Sequence, residues 1–93
     1  MRKAEVEVVN KLGLHARPSA ALTQLATRFA CEVWLTKGQR RVNGKSIMGV
    51  MMLAAARGSV LLVETDGSDE DQALAALVGL IGSGFGEDVG VEG

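Results

Sequence analysis

Residues 13–29 read GLHARPSAALTQLATRF, and this stretch sets the architecture. Pro18 sits near the start of a helical pattern. Leu22, Leu25, Ala26 and Phe29 recur at helical spacing and form one apolar stripe. Proline suits a first helical turn, because the N–H it lacks would have had no intrahelical acceptor. A single stripe must be buried against another element. The residues just before supply one: Lys3–Val9 alternates, with Ala4, Val6 and Val8 on one side and Glu5 and Glu7 on the other. That is the pattern of a half-buried strand.

Downstream, Glu32–Thr36 is rich in strand formers, Lys37-Gly38-Gln39 is a turn, and Arg40–Val42 is a short strand. Asn43-Gly44 is a strong turn signal. A second helix is predicted over Ile47–Ala55 with Ser46 as its N-cap, and Val60–Thr65 is a strand. Ser68 is the expected cap of a third helix, whose positive end Asp69, Glu70 and Asp71 favour. Its buried stripe is Leu74, Leu77, Val78 and Ile81. The order β-α-β-β-α-β-α, with no internal repeat or linker, predicts a two-layer α/β (α+β) sandwich. Four strands in so short a chain leave little room for crossover helices on both faces, so a mostly antiparallel sheet with helices on one side is expected. Six glycines among residues 79–93 set the expected domain at 1–82 and a mobile glycine-rich tail at 83–93.

The chain has 93 residues, 47% hydrophobic and 23% charged, which suits one globular domain and excludes wholesale disorder. The longest apolar runs, Ile47–Ala56 and Ala73–Gly82, fall well short of the ~18 residues that cross a bilayer. Glu5 and Glu7 stand where an export signal would need an apolar core. With a single cysteine, Cys31, this favours a reducing cytoplasm. One histidine and one cysteine are too few for a His/Cys metal site, and no nucleophile triad or phosphate-binding glycine loop can be written. Residues 1–57 hold all ten Lys and Arg against three acids, whereas residues 58–93 hold eight acids and no base. The halves either neutralise each other across the fold or present a basic surface to an acidic partner or phosphate. Nucleic acid is the weaker partner class, because Phe29, Trp34 and Phe85 are the only aromatics and none interleaves with basic residues.

The residue type tuned near neutral pH is histidine, and His15 stands just before the first helix. The first amides of a helix lack intrahelical acceptors and lie at the positive end of the dipole. Arg17 adds a planar five-donor fork two residues on. A tetrahedral dianion on the His15 ring would therefore meet amides, dipole and guanidinium together. The same positive surroundings favour the neutral imidazole, which is the nucleophile that could accept a phosphoryl group. These residues serve covalent phosphorylation and simple anion binding equally well.

The stretch GLHARPSAAL resembles the active-site signature of HPr, the histidine-containing phosphocarrier of bacterial phosphotransferase systems. VNGKSIMGVMMLAA resembles the regulatory-serine segment of the same family, and the resemblance covers nearly the whole chain. It implies an open-faced β-sandwich with strand order 1-4-2-3 and three helices on one face. It implies a relay in which enzyme I, charged from phosphoenolpyruvate, phosphorylates His15, and an enzyme IIA protein or domain then receives the group. By analogy Nδ1 reacts and Arg17 stabilises the moving charge, with the helix N-terminus at Ala16 and Arg17 contacting the phosphate. No cofactor or metal is implied, and the expected state is a monomer.

Ser46 reads first as a helix N-cap, worth about 1 kcal/mol. The resemblance adds a role as target of an HPr kinase/phosphorylase. A phosphate at a helix N-terminus meets a favourable dipole, so its effect should fall on partners rather than on the helix. Residues 47–56 carry no polar side chain and hold three of the four methionines, Met48, Met51 and Met52. A two-layer domain can bury only one face of such a helix, and flexible methionines suit a surface with several partners. The resemblance assigns Ile47, Met48 and Met51 to that docking side, near His15. It also marks two departures: Ala54 stands where glycine is common, and the tail is longer than usual. Two other readings compete. One is a regulatory protein of the same fold acting through phospho-Ser46 on a transcriptional regulator or kinase. The other is a small anion- or nucleic-acid-binding module using the basic half.

Overall fold

The computed structural model describes residues 1–87. Its strands are β1 (Arg2–Glu7), β2 (Glu32–Lys37), β3 (Arg40–Asn43) and β4 (Val60–Asp66). Its helices are α1 (Ala16–Thr27), α2 (Ile47–Met52) and α3 (Glu70–Gly82), followed by a 3-10 turn at Gly84–Gly86. The sheet order is β1-β4-β2-β3, with every neighbouring pair antiparallel. This is the order that the family resemblance implied.

Strand alternation decides which side is covered. In β4, Leu61, Val63 and Thr65 are fully buried, and across the ladder they meet Val6, Ala4 and Arg2 on one side and Leu35 and Val33 on the other. The helices close over this face. Leu22 and Ala26 of α1, Val50 of α2, and Ala73, Leu77 and Ile81 of α3 are all fully buried. A core of such aliphatic side chains gains roughly 1.5–3 kcal/mol for each one buried, before entropy is set against it. The opposite face stays open. There Arg41 stacks on Trp34 at 4.4 Å from the ring centroid and reaches Glu64 at 3.4 Å.

Three sequence expectations shift. First, α2 ends at Met52 rather than Ala55, because the chain turns at Ala54 with a positive φ of 50°. The carbonyls at this exit are taken by side chains: Arg40 donates to Met52, and Lys37 to Leu53 and Ala54. Second, Asp69 and not Ser68 occupies the N-cap of α3, and its carboxylate caps nothing in that helix. It accepts instead from the Ala30 and Cys31 amides at 2.8 and 2.9 Å, tying the α1–β2 loop to the start of α3. Those hydrogen bonds to the charged form, the Ala30 one foremost, hold the Asp69 carboxyl below its usual range. Third, the buried stripe of α3 runs through Ala73, whereas Leu74 and Val78 are only half-buried.

Of the expected tail, Gly84 is buried, Phe85 packs on the core and Glu87 turns back with its amide on Gly84 O at 2.9 Å. Residues 88–93 lie outside the described residues. No helix among the described residues is long and apolar enough to cross a membrane.

Candidate functional site

His15 is the N-cap residue of α1, with extended backbone angles (φ −78°, ψ −169°) and no capping hydrogen bond from its own side chain. Its carbonyl accepts from Ser19 N at 3.0 Å, which starts the helix. That geometry places Ala16 and Arg17 at the first two helical positions, where amides have no intrahelical acceptor, and Pro18 at the third, where no amide hydrogen exists. The imidazole is thus free for other work, and it is partly open, with 35% of the side chain exposed.

The loop before the helix is held from both sides. Gly13 has a positive φ of 65°, and a Cβ there would lie 2.4 Å from Ala55 O. Its glycine lets Leu14 N reach Ala55 O at 2.8 Å, joining the His15 loop to the exit of α2. Ser19 Oγ donates to Leu14 O at 3.1 Å, and the fully buried Asn10 donates through Nδ2 to Gly13 O at 2.7 Å. Leu14 itself is buried, so the chain is anchored one residue before the ring.

A pocket of about 480 Å³ opens over the ring, lined by Lys11, Leu12, His15, Arg17 and Glu87. It brings together His15 and Arg17, the two residues that the sequence marks for phosphoryl chemistry; Ser46, Ile47, Met48 and Met51 do not line it. Lys11 adds a second cation. Glu87 is the surprise: its Oε1 lies 3.1 Å from His15 Nε2 and 3.2 Å from Asn10 Nδ2. Sequence reasoning placed Glu87 in the tail. The contact spans 72 residues, and nothing local in GSGFGED sets Glu87 apart from the acid beside it.

Ser46 lies apart from this pocket. It is the N-cap of α2, and its Oγ accepts from Gly49 N at 3.1 Å. On the helix that follows, Val50 alone is buried, while Ile47, Met48, Met51 and Met52 are exposed, Met48 by 70%. Leu12, in the His15 pocket, is equally exposed. The exposed side of α2 is therefore apolar, and Lys45 at its entrance is drawn away to Phe29 O at 2.7 Å.

Comparisons with known proteins show the family and the fold. The family model described as the PTS HPr component phosphorylation site matches residues 2–83. The chain is 60% identical over 87 residues to the phosphocarrier protein HPr of Neisseria meningitidis serogroup A, covering 94% of this chain and 98% of that one. It is 54% identical over the same span to the HPr of Cupriavidus necator, with the same coverage. Among solved structures, HPr-C-His from Thermoanaerobacter tengcongensis superposes with a TM-score of 0.91 at 45% identity, covering 95% of this chain and 99% of that one. A full-length match in sequence and in fold leaves one family, and the chain belongs to it: it is a member of the HPr phosphocarrier family of the phosphotransferase system.

Proposed function

We propose that His15 is the phosphoryl acceptor and that the protein cycles between enzyme I and an enzyme IIA protein. What carries this reading is one observation: a partly exposed imidazole at the N-cap of α1, in a pocket shared with Arg17. The ring nitrogen attacks phosphorus, the new N–P bond forms, and the bond to the donor breaks with its electron pair leaving on the donor. Charge on the moving phosphoryl oxygens meets the Ala16 and Arg17 amides, the helix dipole and the Arg17 guanidinium. Balance is the design requirement. The site must favour the group in transit more than the group at rest, or the phosphohistidine becomes a dead end. The protein acts as a phosphorylated carrier, a substrate of its partners rather than an enzyme with turnover of its own. It needs no cofactor and works as a cytoplasmic monomer.

Exposed Ile47, Met48 and Met51 form the partner-docking side of α2. Ser46 stands at its entrance, so a phosphate placed there by an HPr kinase/phosphorylase adds about 1.5–2 negative charges beside an apolar surface. Such a modified carrier is also the form that a transcriptional regulator would read. Incubation with enzyme I and phosphoenolpyruvate is expected to place one acid-labile phosphate on the wild-type chain and none on His15→Ala. Retention of label by His15→Ala contradicts the assignment.

A further inference from the structure

Glu87 makes the contact that none of the preceding readings uses. A carboxylate only accepts hydrogen bonds, so its approach to 3.1 Å from His15 Nε2 puts a hydrogen on that nitrogen. In the neutral ring the lone pair then lies on Nδ1. The carboxylate is itself steered. Asn10 is fully buried and its Nδ2 donates both to Glu87 Oε1 at 3.2 Å and to Gly13 O at 2.7 Å. This orientation leaves Asn10 Oδ1 buried with no partner among the described residues. An unpaired buried acceptor is costly, and here it accompanies two donors spent on the His15 loop and on Glu87.

We propose that Glu87 is a positioning residue for phosphoryl transfer, holding His15 in the Nε2–H tautomer and offsetting the charge that the ring gains. The proposal rests on His15 being the acceptor. Attack by Nδ1 forms the Nδ1–P bond while the donor's bond to phosphorus breaks with its electron pair. No proton leaves Nε2, so the ring becomes cationic, and the carboxylate against Nε2–H lies on the side away from the new bond. Return of the group to the next partner reverses the same steps. Lys11 and Arg17 line the same pocket and temper repulsion between Glu87 and the incoming dianion. Orientation of a catalytic imidazole by a carboxylate on its other nitrogen is a general device, since it fixes tautomer and ring angle together.

The test combines ring ¹⁵N spectra of His15 with the rate of transfer from enzyme I, in the full chain and in Glu87→Ala, Glu87→Gln and Glu87→Asp. Thermal melting checks that each variant folds. Glu87→Ala is expected to mix the two tautomers and to slow transfer roughly tenfold, the lower end of what loss of an orienting partner causes. Glu87→Gln retains an acceptor without charge, so it should keep the tautomer and still lose rate. Glu87→Asp should restore part of both. Unchanged spectrum and rate in Glu87→Ala overturn the proposal while leaving His15 as the acceptor if His15→Ala still abolishes labelling. If the wild-type chain takes no label, the acceptor reading falls, and with it the rate arm. The ring spectrum alone then decides whether Glu87 sets the tautomer.

Discussion

At Gly13 the chain adopts a φ of 65°, and an added Cβ would lie 2.4 Å from Ala55 O and 2.9 Å from Ala56 Cα. Both obstacles are backbone, so neither can swing away. Gly13→Ala should cost about 2 kcal/mol or more, from the left-handed strain and from forcing the His15 loop off α2. Chemical denaturation should show the loss, and a change under about 0.5 kcal/mol would contradict the close approach, being no more than an ordinary surface substitution gives. Ala54 is the mirror case, a non-glycine residue held at a φ of 50° where the resemblance expects glycine. Relief of a left-handed alanine is worth about 1–2 kcal/mol against about 0.5–1 for glycine's extra chain entropy. Ala54→Gly should therefore raise stability slightly, and a drop in melting temperature would contradict this. At this scale the sequence is legible where the signal is local. His15, Arg17 and Pro18 are read from their neighbours. Asn10 and Glu87 are not, because their meaning comes from contacts that only the folded chain creates.

At the scale of elements, two helix entrances use their polar residues differently. Ser46 caps α2 through Gly49 N, so Ser46→Ala should cost about 1 kcal/mol. Ser46→Asp keeps a good cap, leaving circular dichroism nearly unchanged while slowing transfer from enzyme I. A collapsed spectrum would contradict the capping geometry. Asp69 reads from sequence as an acid favoured by the positive end of α3, yet its carboxylate accepts from Ala30 and Cys31 in another loop. Its folded-state carboxyl sits below its usual range, so the native state binds fewer protons than the unfolded one as pH falls. The contribution is fully present above about pH 4–5, near the unfolded carboxyl's range, and is lost as pH drops through the lower folded value. Acid titration of stability should be shallower in Asp69→Asn than in wild type. Identical slopes would contradict the role. Strand and helix positions were readable because alternation and stripes are local patterns. The length of α2 was not, since its end depends on Lys37 and Arg40 arriving from β2 and β3.

For the whole molecule, the charge asymmetry of the sequence is partly spent inside the fold. Arg2 pairs with Asp71 at 3.1 Å and Arg41 with Glu64 at 3.4 Å, each joining the basic half to the acidic half. The Arg2–Asp71 pair is largely exposed and contributes little to stability, whereas Glu64 of the other pair is mostly buried. Lys11 and Arg17 are among the bases that line the His15 pocket. Layering and one-sided helices follow from the amphipathic stripes. The strand order came from the family resemblance, since it depends on β4 inserting between β1 and β2 across the chain. All of this converges on one imidazole at the mouth of α1. The most direct test is ³¹P NMR of the chain after transfer from enzyme I, with ¹⁵N-labelled histidine. A single phosphoramidate coupled to Nδ1 of His15, disappearing on acidification, is the predicted result. An acid-stable phosphate ester, or a phosphoramidate on Nε2, would contradict the account.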